Sequence, residues 1–186
     1  MVTETSRRYT YEDLLALPED NTRAEVIDGE FVLSPSPSFR HQRAVVVLVV
    51  RLGTHCEAHG GEVIPGPFDV YVSDVNVVEP DVIFVRPENV NKIEQRCIRS
   101  APDLIVEVSS PSTRALEVKR KIKLYEGHGV PEYWYVDLEA GRVEVYRLKE
   151  DSYGLPGLVG RGDAVESALF PSLAISVDDI LGPPEG

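Results

Sequence analysis

The sequence is nearly free of cysteine. Only Cys56 and Cys97 occur among 186 residues, too few and too far apart for a disulfide framework or a cysteine-based metal site. With so few thiols, a reducing cytoplasm is the simplest compartment. Long apolar runs are missing too. The longest, Ala44 to Val50, falls far short of the ~20 residues needed to span a bilayer. The opening residues, MVTETSRRYTYEDLL, hold no apolar signal core. Basic residues are scarce beside acids: 19 Lys and Arg against 31 Asp and Glu, for a net charge of −12. Binding nucleic acid without regard to sequence rests on cations that neutralise phosphates. The balance therefore argues against tight, unaided binding of that kind. It leaves room for a locally basic groove in an acidic remainder. It also agrees with a metal site, where clustered acids sit beside a cation. There is no internal repeat and no low-complexity segment.

What is present suits a globular protein. At 42% hydrophobic and 27% charged residues, the chain can build one domain with a sizeable core, and residues 1–186 are expected to form one. Thr10, with Asp13 three residues on, fits the start of a short helix over residues 11–17, closed by Pro18. Residues 23–33 read as a β-hairpin turning at Asp28-Gly29, with Glu25 on its first strand. Residues 39–59 have a Val-rich centre, but their length, their Ser38 start and their Gly60-Gly61 stop mark a helix. Short strands are expected at 62–65 and 67–72. Residues 78–85 read as one buried strand, with Asp81 near its start and four apolar residues in a row behind it. Residues 86–100 form a connection with a helical turn. After a turn at 138–142 the alternation predicts a strand over 143–148. A loop-rich stretch follows over 149–162, then a strand over 164–169 and a closing helix over 176–181.

The most informative stretch is residues 101–137, APDLIVEVSSPSTRALEVKRKIKLYEGHGVPEYWYVD. An apolar run from Leu104 to Val108 is interrupted by one carboxylate, Glu107. Side chains alternate along a strand, so Leu104, Val106 and Val108 share one face, and Ile105, Glu107 and Ser109 the other. A carboxylate in such a strand is costly unless a metal, a cation or hydrogen bonds satisfy it. The plain alternative sets Glu107 at a strand end, pointing into water. A helix is expected next, over residues 114–128, with Val118, Ile122 and Tyr125 as its apolar stripe and Gly127 and Gly129 at its stop. Residues 132–138 alternate as a strand. This strand–helix–strand unit carries an acid on its first strand and a lysine on its helix, an arrangement that can place both beside one pocket. Asp81 and Glu107, on neighbouring strands, can together hold a hard divalent cation, since Mg²⁺ needs only one or two carboxylates beside its waters. His55 and His59 lie four apart but have no third ligand, which excludes a zinc reading.

The string VEVSSPST, the helical Lys121 and Tyr125, and GVPEYWYVD together resemble the Uma2 family, bacterial proteins assigned to the PD-(D/E)XK nuclease-like fold. Glu79-Pro80-Asp81 is similar to the PD half of that signature, and RAEVIDGEFVLSPSPSFRH extends the resemblance toward the N-terminus. It covers residues 9–148 and leaves 149–186 as a C-terminal extension. The resemblance implies an α/β (α+β) fold, a mixed central β-sheet flanked by helices. It implies a nuclease dependent on Mg²⁺ or Mn²⁺, with Asp81 and Glu107 as metal ligands and Lys121 as the catalytic cation. The sequence departs from the signature at Ser109, where the PD-(D/E)XK pattern has a lysine. The resemblance implies that Lys121 takes over that charge, with Lys119 and Lys123 as alternatives on other faces of the helix. A surface pair between Glu117 and Lys121 is the bland reading of the same residue. Glu25, His41 and Tyr125 are further candidates. Glu25 is either a site acid or a solvated strand acid, His41 either structural or part of the site, and Tyr125 either a phosphate contact or packing.

Two functions follow. One is a metal-dependent endonuclease acting on nucleic acid, with DNA expected ahead of RNA. The other is a non-catalytic interaction protein that keeps the fold, a reading favoured by Ser109 and the acidic charge. A homodimer or larger homo-oligomer is also expected. Nucleases of this fold class often pair, and Tyr133, Trp134, Tyr135, Val143, Val145 and Tyr146 would leave apolar surface unless covered. The alternative is cover from the segment 155–173 of the same chain.

Overall fold

The computed structural model describes residues 7–18, 23–34, 36–110, 115–170 and 172–183, the side chains of 115–117 excepted. In chain order the elements begin with helix α1 (Tyr11–Leu15), strands β1 (Arg23–Ile27) and β2 (Glu30–Ser34), and helix α2 (Phe39–His59). Strands β3 (Glu62–Pro65), β4 (Asp69–Ser73), β5 (Asn76–Val78) and β6 (Val82–Val85) follow. A 3-10 turn at Pro87–Lys92 leads to β7 (Cys97–Ile98) and β8 (Leu104–Val108), then helix α3 (Ala115–His128). The chain ends with β9 (Glu132–Asp137), β10 (Arg142–Arg147), β11 (Gly157–Gly160), β12 (Ala164–Glu166), β13 (Ala174–Ser176) and helix α4 (Val177–Leu181).

Local chemistry explains most of these boundaries. Thr10 and Asp13 form a reciprocal capping box at α1, the Asp13 carboxylate accepting from the Thr10 N–H at 2.9 Å. The β1–β2 turn puts Asp28 and Gly29 at φ 56° and 80°, the left-handed pair that a two-residue hairpin demands. Ser38 caps α2 by accepting from the His41 N–H at 3.2 Å. The 21-residue helix buries His41, Ala44, Leu48 and Leu52 along one face, so tertiary packing at helical spacing outweighs the β-propensity of its valines.

Among the described residues the strands form three sheets. One has the order β2-β1-β5-β4-β7, a second β11-β10-β9-β8-β6-β3, and β12 pairs with β13. Strand β8 is central to the second, antiparallel to β6 and parallel to β9, and all five of its residues are buried. Leu104, Val106 and Val108 point to one side, packing with Ala44, Leu48 and Leu52 of α2 and Ile180 and Leu181 of α4. Ile105 points to the other, toward Tyr125 of α3 and Ile27, Val70 and Val78 of the five-stranded sheet. The molecule is thus a mixed α+β fold with its six-stranded sheet covered on both faces. Among the described residues no helix is long and apolar enough to cross a membrane.

Two expectations are corrected. Residues 78–85 do not form one strand. Val78 ends β5 in one sheet and Val82 begins β6 in the other. Between them Pro80 has no N–H to give a ladder, and residues 79–81 carry the chain across. The backbone there is crowded: a Cβ on Gly66 would meet the Pro80 carbonyl oxygen at 2.6 Å. The aromatic hairpin does not expose the apolar surface that suggested an assembly. Tyr133, Trp134, Val143, Val145 and Tyr146 are all buried. Val165, Phe170 and Ile175 share a core with Trp134, Val143 and Val145, and Tyr153 packs beside Tyr146 at 5.8 Å between ring centres. The loop-rich stretch 149–162 contains β11, which pairs along β10 and removes its open edge. Residues 111–114, where the α3 start was expected, lie outside the described residues.

Candidate active site

The crossing at residues 79–81 delivers Asp81 to the end of β6, and the register Val82 opposite Val106 carries it alongside Glu107 on β8. Glu107 faces the layer that holds α3 and the five-stranded sheet, as Ile105 does. There β1 supplies Glu25 and Arg23 and α3 supplies Lys121 and Tyr125, while the first turn of α2, a helix packed on the opposite face, brings His41 to Asp81. Glu25, Asp81 and Glu107 are 1%, 4% and 8% exposed, so water does little to disperse their charge.

The contacts fall into two linked groups. Around Glu107, the Lys121 Nζ donates to Oε1 at 2.9 Å and the Tyr125 hydroxyl donates to the same oxygen at 2.6 Å. Lys121 Nζ also donates to Glu25 Oε1 at 2.8 Å, so one ammonium bridges acids from two sheets. Around Asp81, Oδ1 accepts from Arg23 Nη1 at 2.8 Å. Its Oδ2 accepts from the Val108 N–H at 2.8 Å and lies 3.1 Å from His41 Nε2, which must carry the proton for that bond. The groups join at Glu79, whose N–H donates to Glu25 Oε1 at 2.8 Å and whose carbonyl accepts from Arg23 Nη2.

The electrostatics separate the two acids. Burial alone would raise the Asp81 pKa, but the hydrogen bond from His41 and the charge of Arg23 overrule it and hold the carboxyl down at about 2. At Glu107 burial prevails: helped by Asp81 and Glu25, it raises the pKa against the pull of Lys121 and Arg23. Burial would lower Lys121, yet Glu107 and Glu25 hold it above its ordinary value. Burial, with the charge of Glu107, drives Tyr125 well above the usual phenol range. Burial also lifts Glu79 to about 7, against the opposing charge of Arg23. Lys121 is therefore a fixed cation and Tyr125 a fixed donor. Neither can serve as a general base near neutral pH.

The structure brings Glu25, Asp81, Glu107, Lys121, Tyr125 and His41 together through these bonds. Lys119 and Lys123 are exposed, and the side chain of Glu117 lies outside the described residues. Ser109 is engaged elsewhere: its hydroxyl accepts from the Leu138 N–H at 2.9 Å and its own N–H donates to Val136 at 2.9 Å. Arg23 and Glu79 went unrecognised as site residues. Arg23 lies 58 residues from Asp81, at the start of a hairpin, and carries no local signal. For a metal, the donors are all carboxylate oxygens, the chemistry of a hard cation. Among the described residues no group of three His, Cys, Asp or Glu is arranged to hold one. Mg²⁺, which keeps several waters, can be held by as few as one or two carboxylates, and Asp81 and Glu107 are the candidates here.

Comparison with known proteins agrees with this architecture. The Uma2 family model, described as "Putative restriction endonuclease", matches residues 11–178. The match runs past residue 148 into the segment that β11, β12 and β13 occupy. A solved structure from Anabaena variabilis, described as a putative nuclease belonging to DUF820, superposes with a TM-score of 0.78. It is 22% identical, with 92% of this chain and 97% of that chain covered. At that identity the likeness establishes a shared fold. No curated protein matches the chain.

Proposed function

We propose, for a chain that belongs to the Uma2 family, that it is a metal-dependent nuclease hydrolysing phosphodiester bonds, with Asp81 and Glu107 as metal ligands and Lys121 as the charge that stabilises the transition state. The observation that carries this reading is the position of Lys121, donating to Glu107 at 2.9 Å and Glu25 at 2.8 Å inside a buried acid cluster. Net hydrolysis forms a bond from a water oxygen to phosphorus and breaks the bond to the leaving sugar oxygen, which takes up a proton. Bound Mg²⁺ or Mn²⁺ would polarise the phosphodiester and lower the pKa of a coordinated water. Lys121, held charged, supplies a fixed cation where negative charge develops on the phosphoryl oxygens. Tyr125 and Glu25 fix the positions of Glu107 and Lys121, and His41 with the Val108 N–H fixes Asp81. DNA is the first substrate to offer.

One observation favours the non-catalytic alternative. Both Asp81 oxygens already accept hydrogen bonds, one of them from Arg23. Cleavage of single- and double-stranded DNA and RNA, with Mg²⁺ or Mn²⁺ and with chelator, separates the two readings. The nuclease reading expects metal-dependent products that vanish in Glu107→Gln. Cleavage unchanged in Glu107→Gln rejects the mechanism, and no cleavage of any substrate supports the interaction protein.

A further inference from the structure

Asp81 Oδ2 is held by the buried Val108 N–H and His41 Nε2, at 2.8 and 3.1 Å. Its other oxygen, Oδ1, accepts from Arg23 Nη1 at 2.8 Å. A cation drawn to Oδ1 meets the Arg23 guanidinium already bonded there, and the like charge opposes its approach. We propose that Arg23 is a resident counter-ion that competes with the divalent metal for Asp81, and so sets the metal concentration at which the site loads. This rests on the metal-site reading of Asp81 above.

Three features distinguish Arg23 from Lys121, the other cation of the cluster. The first is access. The Arg23 side chain is 27% exposed, against 14% for Lys121 and 4% for Asp81, so it borders solvent and has a direction in which to move. The second is grip. Arg23 Nε and Glu79 Oε2 lie 3.4 Å apart, yet both are buried without a hydrogen-bond partner. The guanidinium therefore uses only part of its donor fork here, whereas arginine binds best when the fork is matched. The third is charge. Among the described residues the carboxyl groups of Glu25, Glu79, Asp81 and Glu107 face the cations Arg23 and Lys121, and with Glu79 part-protonated near neutral pH the acids still outnumber the cations. Exchanging a single charge at Oδ1 for a double one reduces the excess of negative charge in a poorly solvated place. Lys121 bridges two acids at 2.8 and 2.9 Å and has no comparable reason to leave.

Arg23 is in this account a positioning residue, and its effect on metal affinity has a sign that a merely structural role would not give. Loss of a structural support disorders Asp81 and weakens metal binding. Loss of a competitor strengthens it. Titration calorimetry with MnCl₂ on the full chain tests this, with circular dichroism to confirm folding. Arg23→Ala is expected to bind Mn²⁺ on the order of tenfold more tightly than the natural chain, the scale of one removed charge pair. Arg23→Lys keeps the charge and should stay within a small factor of the natural affinity. Asp81→Asn should lose binding. If Arg23→Ala does not fold, Arg23→Gln, uncharged and similar in reach, carries the same expectation. Equal or weaker binding in the uncharged variants, with Asp81→Asn still losing it, overturns the competition and leaves the metal site standing. No Mn²⁺ binding by any variant overturns both.

Discussion

The pairing of β6 with β8 has a buried acid at each end, and the two ends are built differently. At one end Asp103, 2% exposed, accepts from the Arg86 N–H at 2.8 Å, Arg86 Nε at 2.7 Å and Asn89 Nδ2 at 3.0 Å to each oxygen. Its partners lie within 17 residues along the chain. There one buried carboxylate meets one guanidinium, which also pairs at 3.1 Å with Glu88 at the surface. At the other end the carboxyl groups of Glu25, Glu79, Asp81 and Glu107 face, among the described residues, the cations Arg23 and Lys121, and the bonds span up to 96 residues of sequence. The buried acids at both ends accept hydrogen bonds, but at the second end Arg23 Nε, His41 Nδ1 and Glu79 Oε2 are buried without a partner. The second gathers three buried acids, Glu25, Asp81 and Glu107, where the first has Asp103, a concentration found at sites that hold a cation or shift pKa values. Hydrogen bonds to the carboxylates alone do not distinguish the two ends. The number of buried acids and the reach of the contacts do.

The largest effect expected is on activity, and it should divide the two ends. Asp81→Asn, Glu107→Gln and Lys121→Ala should each lower single-turnover cleavage with Mg²⁺ on the order of 10²-fold or more. Asp103→Asn should leave cleavage per folded molecule unchanged. A comparable loss in Asp103→Asn would erase the distinction between the ends.

Stability should divide them the other way. Asp103→Ala strands the part-buried donors of Asn89 and Arg86, and is expected to cost about 2 kcal/mol. The Arg86 side chain, 40% exposed, can return to water, which keeps the cost below that of a fully buried pair. Thermal unfolding should fall by several degrees, at ~2–4 °C per kcal/mol for a chain of this size. A melting point within one degree of the natural protein would mean that Asp103 contributes little to the fold.

Acidity gives a subtler contrast. Burial holds the Glu79 carboxyl at about 7, against 4.5 for the free group, so the folded state binds this proton more tightly than the unfolded chain. The resulting stability is complete below the unfolded value and is lost as the pH rises through 7. Glu79→Gln cannot ionise. Its stability relative to the natural protein should therefore grow between pH 5 and pH 8, by about 1–2 kcal/mol. Chemical denaturation at the two pH values measures this, and a gap that stays constant or shrinks refutes the assignment.

How far the sequence discloses these ends depends on the range over which each signal acts. Alternation is local, and it separated Glu107 and Ile105 from Leu104, Val106 and Val108 correctly. Capping is local, and Ser38, Gly60 and Asp28-Gly29 mark real boundaries. Lys121 and Tyr125 sit one helical turn apart, and both donate to the same Glu107 oxygen. The crossing at residues 79–81 was hidden because apolar residues flank it on both sides, so two strands in two sheets read as one. Arg23 was hidden for a different reason: its partner is 58 residues away, and nothing at the head of a hairpin marks an arginine as turned inward. The burial of the aromatic hairpin was equally non-local, since Val165, Phe170 and Ile175 come from a segment whose short strands carry weak patterns.

The smallest predicted effect concerns Ser109, which continues the strand whose acid is Glu107. The PD-(D/E)XK pattern has its lysine at this place, which makes Ser109 a natural suspect for site chemistry. Its hydroxyl instead accepts from the Leu138 N–H at 2.9 Å, and its N–H donates to the Val136 carbonyl at 2.9 Å, fastening the end of β8 to the end of β9. By those bonds Ser109 works as Asp103 does, for the frame. Ser109→Ala leaves the Leu138 N–H without that acceptor and should cost about 1 kcal/mol, or a few degrees of melting temperature. Cleavage per folded molecule should stay within about twofold, because the charge at the site comes from Lys121, whose bonds to Glu25 and Glu107 do not pass through Ser109. A large loss of cleavage without loss of stability would move Ser109 to the other end of the comparison, among the residues that touch the substrate.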